Sequence, residues 1–393
     1  MKRIAVLGST GSVGVSTLDV AAAHPESLSV IGLSAKSNAE ALGQQVRRHR
    51  PQVAAVLDAG QAEALRRHGL PGVEVCAGVD GLTRVATHPD VDLVVVATSG
   101  SDALVPLVRA IEAGKHVAIA SKELLVMAGE LVMELARSRG VRLIPIDSEH
   151  AALFQLLAGV PREHVERLII TGSGGPLWSW PAERIAQATP AEVLRHPKWQ
   201  MGRKITVDSA TLMNKGLEMI EARWLFGVPL EQIRVVIHPQ AVVHGMVELH
   251  DGSCLAQMAP CDMRLPIQAA LSFPDRWPAA RERLSWTALS GLEFHEPDAA
   301  RFPCLGLAQD AARAGGSACA VLSAANDVAV AAFLRGELSF GQIPQVIRGT
   351  LEQQTVISHP TLEQILECDR WARATAQLGL MNSKEQSAHR CRG

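Results

Sequence analysis

No CxxC pair occurs anywhere in the 393 residues, and the seven cysteines are an odd number. That argues against a disulfide framework and against a structural zinc site, and it fits a reducing compartment. Cys254 and Cys261 read simply as small core or loop residues. No segment has the unbroken apolar length of a membrane span, and a strand pattern begins at Ile4, leaving no room for a signal or transit peptide. A cytoplasmic location is the expectation. The formal net charge of −2 carries no electrostatic footprint for nucleic acid, and Arg47-Arg48-His49-Arg50 reads as a solvated helix face. Internal repeats are lacking too. What is present, 47% hydrophobic and 20% charged residues, describes a soluble globular chain long enough for two or three domains.

The first of these domains is announced by Ile4-Ala5-Val6-Leu7, a short apolar run that breaks into Gly8-Ser9-Thr10-Gly11-Ser12-Val13-Gly14 and then a helical pattern. Strand, glycine turn and helix start in that order let backbone N–H groups meet a pyrophosphate. The spacing is GxxGxxG, which a tight turn in another α/β protein would also satisfy. After the second strand, Leu28 to Leu33, the acid that usually holds an NAD ribose is missing. Ser34-Ala35-Lys36-Ser37-Asn38 stands there instead, a set that suits the 2′-phosphate of NADP unless it is a loop of no consequence. Strands follow at 53–57, 91–97, 116–120 and 141–146, alternating with helical patterns, so residues 1–147 are expected to form a Rossmann-like doubly wound parallel sheet.

Asp147 and Glu149 emerge two apart at the end of the last of these strands. If the chain stays extended both carboxylates point to one side; the lesser alternative is that Glu149 caps the helix that follows. Leu168 to Ile170 ends in Thr171-Gly172-Ser173-Gly174-Gly175-Pro176, either a second anion site or a plain turn. His196-Pro197-Lys198-Trp199-Gln200-Met201-Gly202 places an exposed tryptophan between proline and glycine, as a lid would. From Leu212 the spacing is helical, with Asn214, Glu218 and Glu221 on one face among apolar neighbours. Two buried carboxylates about 4 Å apart repel by roughly 4 kcal/mol at an effective dielectric near 20. Such a pair therefore needs a cation, a proton or a donor, and Asp147, Glu149 and Glu218 together would make an all-oxygen site suited to magnesium or manganese. His244, among apolar neighbours, reads as a satisfied core histidine rather than a catalyst. Strand patterns over 233–250 complete an α+β central domain, 148–275, whose lid covers about 193–203. A linker is expected at 276–300, a strand-free helical bundle at 301–381 and a disordered tail at 382–393.

The motifs GSTGSVG at 8–14, IDSEH at 146–150, TGSGGP at 171–176, HPKWQMGRKITVDSATLMNKGLEMIEARWLF at 196–226, IHPQAVVH at 237–244 and LSAANDVAVAAFL at 322–334 together resemble the 1-deoxy-D-xylulose 5-phosphate reductoisomerases, over essentially the whole chain. The resemblance implies an NADPH domain, a catalytic domain and C-terminal helices, commonly in a homodimer. It implies conversion of 1-deoxy-D-xylulose 5-phosphate to 2-C-methyl-D-erythritol 4-phosphate by retro-aldol and aldol steps followed by hydride transfer, a step of the non-mevalonate isoprenoid pathway. By matching motif, Asp147, Glu149 and Glu218 would carry Mg²⁺ or Mn²⁺. Ser173, Ser209, Asn214 and Lys215 would hold the substrate phosphate, Ser148 and Lys122 its hydroxylated chain, and His196, Trp199 and Met201 would belong to the lid. The cofactor would lie on Gly8, Thr10, Gly11, Ser12, Val13, Gly14, Lys36, Ser37, Asn38, Glu123 and Gly202. Glu149, Lys122, His196 and metal-bound water are the candidates for proton transfer. The chain departs from the family pattern at Ser121, Ser323 and Leu177-Trp178-Ser179-Trp180, and its 35–37 loop lacks the frequent glycine. An NADP-dependent dehydrogenase of another phosphorylated substrate would need the glycine turn but neither the three acids nor the Ser209/Asn214/Lys215 set. A non-catalytic nucleotide-binding paralogue would be expected to have lost an acid, and none is lost.

Overall fold

The computed structural model describes residues 1–199, 201–278 and 283–390; of the expected lid, linker and tail, residues 200, 279–282 and 391–393 lie outside it. The chain folds into two compact units. The first comprises residues 1–124, 132–159 and 258–284, the second residues 125–131, 160–257 and 285–393.

The first unit is built on seven strands: β1 (Lys2–Leu7), β2 (Leu28–Ala35), β3 (Val53–Val56), β4 (Glu74–Ala77), β5 (Leu93–Val96), β6 (His116–Ile119) and β7 (Leu143–Pro145). Their order in the sheet is β4-β3-β2-β1-β5-β6-β7, and all six pairings are parallel. Ile4–Leu7 of β1 and the whole of β3 and β5 are continuous runs of Val, Ile, Leu and Ala at almost zero exposure, as a sheet covered on both faces requires. The order reverses between β1 and its neighbours β2 and β5, which makes the carboxyl end of β1 the point where such sheets take ligands. Strand β4 was not legible in the sequence: four residues at a sheet edge, with glutamate first and cysteine third, do not stand out from a loop.

Two expected boundaries fall elsewhere. The central domain was placed at 148–275, yet residues 148–159 and 258–284 belong to the first unit. The reason is apolar packing. Ile267, Ala270 and Leu271 of the helix Arg264–Ser272 share one buried core with Ile4, Val6, Ile144 and Ile146, and Lys2 Nζ donates to Leu271 O at 2.6 Å. The last helix is Leu362–Arg390, whose final nine residues fall within the segment 382–393 expected as a tail.

In the second unit β8 (Val165–Gly172), β9 (Ile233–Ile237), β10 (Val243–Leu249) and β11 (Cys254–Met258) form a mixed sheet in the order β11-β10-β8-β9. β8 runs parallel to β9 and antiparallel to β10. Helices Arg203–Thr211 and Met213–Phe226 lie between β8 and β9, and after residue 301 come Cys304–Ala314, Ala318–Leu334, Ile343–Glu352 and Leu362–Arg390 with no strand among the described residues. This is the helical C-terminal part that the periodicity predicts.

Candidate active site

The glycine turn after β1 has three glycines with three different jobs. Gly8 turns at φ +84, and a Cβ there would meet Ala97 O at 2.4 Å; Gly14 lies so close to the turn that its Cβ would fall 2.2 Å from Gly8 O. Both are demanded by the protein's own packing. Gly11 is not: the nearest atom to a Cβ would be Gly8 O at an ordinary 3.4 Å, and the position is exposed. A glycine that the protein does not itself require leaves room for something else to approach the backbone. Gly11 is also the N-cap of the helix Ser12–Ala23 and supplies no side-chain cap, so the first-turn N–H groups, with Thr10, Ser12 and Val13 around them, remain available to an anion. Lys36 and Ser37 are exposed beyond β2, and Asn38 caps the next helix, accepting from Ala41 N at 3.0 Å. Lys36 Nζ pairs with Asp102 Oδ2 at 2.6 Å, a contact between partly exposed side chains that a phosphate can replace at little cost.

In the same unit Asp147 caps the helix Ser148–Leu157, so the backbone turns helical at Ser148 and Asp147 and Glu149 do not continue the strand. The capping role offered for Glu149 therefore falls to Asp147. Asp147 Oδ2 accepts from Lys122 Nζ at 2.6 Å, with both side chains nearly buried. Its Oδ1 accepts from Glu149 N at 3.3 Å and from His150 Nδ1 at 3.2 Å. His150 is fully buried and was not singled out, although its i+3 spacing from Asp147 in IDSEH was the available signal. Ser148 Oγ donates to Glu149 Oε2 at 2.5 Å. Glu123 is half-buried in the first turn of the helix that Lys122 begins. Ser121, at the end of β6, donates its hydroxyl to Thr98 O at 2.6 Å.

The second unit gathers the other set. β8 ends in the turn carrying Ser173; Gly175 in that turn adopts φ +73, and a Cβ there would lie 2.6 Å from Ser209 O. The close approach brings the two serines together on one imidazole: His196 Nε2 lies 3.1 Å from Ser173 Oγ and 3.2 Å from Ser209 Oγ. The other ring nitrogen, Nδ1, accepts from the backbone N–H of Lys198 at 3.2 Å and of Trp199 at 2.9 Å. Because backbone N–H groups can only donate, the ring proton sits on Nε2 and points at the serines. Burial and the nearby Lys215 ammonium push the imidazole pKa down from 6.5 to about 4, so it is neutral at pH 7. A neutral histidine that donates to a serine oxygen leaves the serine O–H groups free to donate elsewhere. The Lys215 stem lies over Gly172, where a Cβ would come within 2.8 Å of its Cε. Its Nζ reaches Glu218 Oε2 at 2.5 Å, and Asn214 Nδ2 donates to Glu218 Oε1 at 2.5 Å. Glu218 is 1% exposed and Glu221 fully buried. Trp199 is half-buried, its ring centroid 6.0 Å from that of the buried His244, while Met201 is half-buried and Gly202 forms the exposed N-cap of Arg203–Thr211.

Three family models cover the chain. Residues 4–129 match one described as 1-deoxy-D-xylulose 5-phosphate reductoisomerase, 143–226 one described as its C-terminal domain, and 258–375 one described as the DXP reductoisomerase C-terminal domain. A curated 1-deoxy-D-xylulose 5-phosphate reductoisomerase of a Geobacter species is 50% identical over 96% of this chain and 98% of its own length. This chain belongs to the 1-deoxy-D-xylulose 5-phosphate reductoisomerase family. A second curated member, from Trichlorobacter lovleyi, is also 50% identical, over 96% of this chain and 97% of its own. Among solved structures, the family member from Zymomonas mobilis in complex with NADPH superposes with a TM-score of 0.89 at 40% identity, covering 96% of this chain and 99% of that one. A DOX-P reductoisomerase in complex with NADPH, fosmidomycin and magnesium gives 0.92 at 35% identity, covering 98% and 99%. The local departure at Leu177–Trp180 from the family pattern has a structural account. Leu177 is fully buried, Trp178 stacks on Phe302 at 6.0 Å, and the carbonyls of Trp178 and Trp180 accept from Arg301 Nη2 at 2.7 and 2.5 Å.

Proposed function

We propose that this chain converts 1-deoxy-D-xylulose 5-phosphate to 2-C-methyl-D-erythritol 4-phosphate with NADPH and Mg²⁺ or Mn²⁺, as a step of the non-mevalonate isoprenoid pathway. The observation that carries the reading is the convergence of Ser173 and Ser209 on a neutral His196 beside Lys215. Two hydroxyls and an ammonium offer a dianionic phosphate hydrogen bonds and charge, while the imidazole keeps the serine protons outward. Asn214 extends the grip. Held there, far from the reacting carbons, the phosphate contributes binding energy that orients the sugar chain.

Asp147, Glu149 and Glu218 would hold the divalent ion. The donors fit: they are all oxygen, as a hard cation prefers, and the two nearly buried acids, Asp147 and Glu218, each lie against an ammonium, that of Lys122 and that of Lys215. Bound there, the ion supplies Lewis-acid stabilisation for charge developing on the carbonyl and hydroxyl oxygens of the substrate. His150 orients Asp147 through its Nδ1–H, and Glu221 would do similar service near Glu218. NADPH would lie along Gly8, Thr10, Gly11, Ser12, Val13 and Gly14, its 2′-phosphate on Lys36, Ser37 and Asn38, with Glu123 and Gly202 on the nicotinamide side; it supplies the hydride that reduces the aldehyde. The uncapped helix and the spare room at Gly11 fit a pyrophosphate. Ser148 and Lys122 would hold the hydroxylated carbons. Glu149 and Lys122 are the groups we assign to proton transfer; His196 is a poor base with a pKa near 4 and is assigned to phosphate binding. Trp199 and Met201 would close over the substrate and exclude water.

No helix among the described residues is long and apolar enough to cross a membrane; we place the protein in the cytoplasm, as a homodimer. The decisive experiment mixes purified protein with deoxyxylulose phosphate, NADPH and Mg²⁺ and follows NADPH absorbance. Metal-dependent oxidation is expected, and its absence would overturn the proposal. Replacing NADPH with NADH should reduce efficiency; equal rates would contradict the assignment of Lys36.

A further inference from the structure

The helix that carries Ser209, Arg203–Thr211, is only nine residues long and has no side-chain cap at its start. It ends at Leu212, which is held at φ 60, a left-handed conformation that leucine rarely adopts; the helix with Asn214 and Lys215 begins at the next residue. So short an element does not fix its own position, and the strained corner beside it persists only if the surroundings impose it. The surroundings are polar. Asp208, next to Ser209 and 1% exposed, accepts from Asn326 Nδ2 at 2.8 Å; Asn326 is fully buried in the helix Ala318–Leu334. Its other oxygen faces Lys204 Nζ at 3.0 Å, and that ammonium also meets Asp327 at 3.4 Å. Asp327 in turn accepts from Arg373 at 2.8 Å, and Arg373 makes a two-pronged pair with Asp369 at 2.9 and 3.0 Å. The network runs from the Ser209 helix through two C-terminal helices.

A buried carboxylate paired this way fixes direction as well as place, since each of its oxygens has a separate partner with its own geometry. Simple apolar packing would hold the helix but leave it free to slide or rotate. A small rotation is what the site cannot tolerate: Ser209 Oγ must stay within reach of the same ring nitrogen as Ser173. We infer that Asp208, held by Asn326 and Lys204, is a positioning residue through which the C-terminal helices set the Ser209 hydroxyl, and hence phosphate affinity. The inference rests on the proposed phosphate grip and assigns to the C-terminal helices a part in substrate recognition.

The test compares Asn326→Leu, Asp208→Asn and Ser209→Ala in the full-length enzyme. Asn326→Leu keeps the side chain's size and removes the donor; Asp208→Asn keeps the shape and removes the charge. For both, the KM for deoxyxylulose phosphate and the inhibition constant of inorganic phosphate should rise together by about tenfold or more, while the KM for NADPH stays within about twofold and kcat falls less than KM rises. A merely structural role would move both KM values and the melting temperature without that split. If either variant fails to fold, the other and Asp327→Asn, one step further out, carry the same comparison at smaller amplitude. Ser209→Ala with an unchanged phosphate inhibition constant would sink the phosphate grip itself. A Ser209→Ala effect with unchanged constants in folded Asn326→Leu and Asp208→Asn would overturn this inference alone.

Discussion

His196 shows how one side chain can be read in two ways until its hydrogen bonds are known. A histidine in a polar loop looks like a proton shuttle. With Nδ1 accepting two backbone N–H groups and Nε2 facing two serines, it is a fixed donor whose pKa is pushed down to about 4. The sign follows directly. The unfolded chain takes up this proton near pH 6.5 and the folded chain only near 4, so folding stability contributed by this group falls as pH drops across that window. Between pH 6 and 8 the ring stays neutral and adds no limb to the rate profile. An NMR titration following the His196 ring carbon should place the midpoint near 4; a midpoint near 6.5 would mean that the imidazole is solvated. Glu218 makes the complementary case. Glu218→Gln keeps the size and the contact with Asn214 but loses the charge that balances Lys215. Turnover should fall by on the order of 100-fold or more, with NADPH affinity, measured by fluorescence titration, unchanged. Equal loss of NADPH binding would contradict assigning Glu218 to metal and substrate.

At the scale of elements, the glycine turn separates folding from binding. A methyl group at Gly14 would overlap Gly8 O, so Gly14→Ala should lower stability by roughly 1–3 kcal/mol. Gly11→Ala has ordinary contact distances and should melt like the parent, yet raise the KM for NADPH about tenfold by blocking the backbone's approach to the pyrophosphate. Thermal melts with and without NADPH check both, and similar melting losses in the two variants would refute the division of labour. The turn was legible because it is local: apolar strand, glycines at fixed offsets, helix. So were six of the seven parallel strands and the four C-terminal helices, whose apolar periodicity is strong. What could not be read depends on distant partners. The helix Arg264–Ser272 looks from its sequence like part of the central domain, and only the core it shares with Ile4 and Ile144 assigns it to the first unit. Asp208 and Asn326 stand 118 positions apart, and nothing in either neighbourhood names the other. Asp147 read as the end of a strand because the sequence pattern does not show where a chain turns into a helix cap.

At the scale of the whole molecule, partner choice turns on edges such as the outer edge of the second unit's sheet, which among the described residues has no further strand. β11 is the last strand in the order β11-β10-β8-β9, and its first three residues are exposed. Leu255 there is 38% exposed, and in the same unit Trp286, Leu292 and Phe294 are 69%, 43% and 43% exposed. An unpaired strand edge in a unit that also exposes large apolar side chains invites either aggregation or a partner. If the proposed homodimer forms here, a second copy would satisfy the edge by closed twofold pairing, in which each copy offers the same strand, and a stable pair needs about 1,600 Å² of buried surface. Light scattering at micromolar concentration should therefore give twice the chain mass of 42.0 kDa. Leu255→Glu combined with Phe294→Glu should shift the mass to that of a single chain, because four carboxylates per dimer would be brought towards an apolar contact. Neither residue belongs to the metal or phosphate sets, so the separated chain should keep NADPH binding. A double variant that remains a dimer would move the interface elsewhere; a parent that runs as a monomer would leave this edge protected by its own exposed side chains alone.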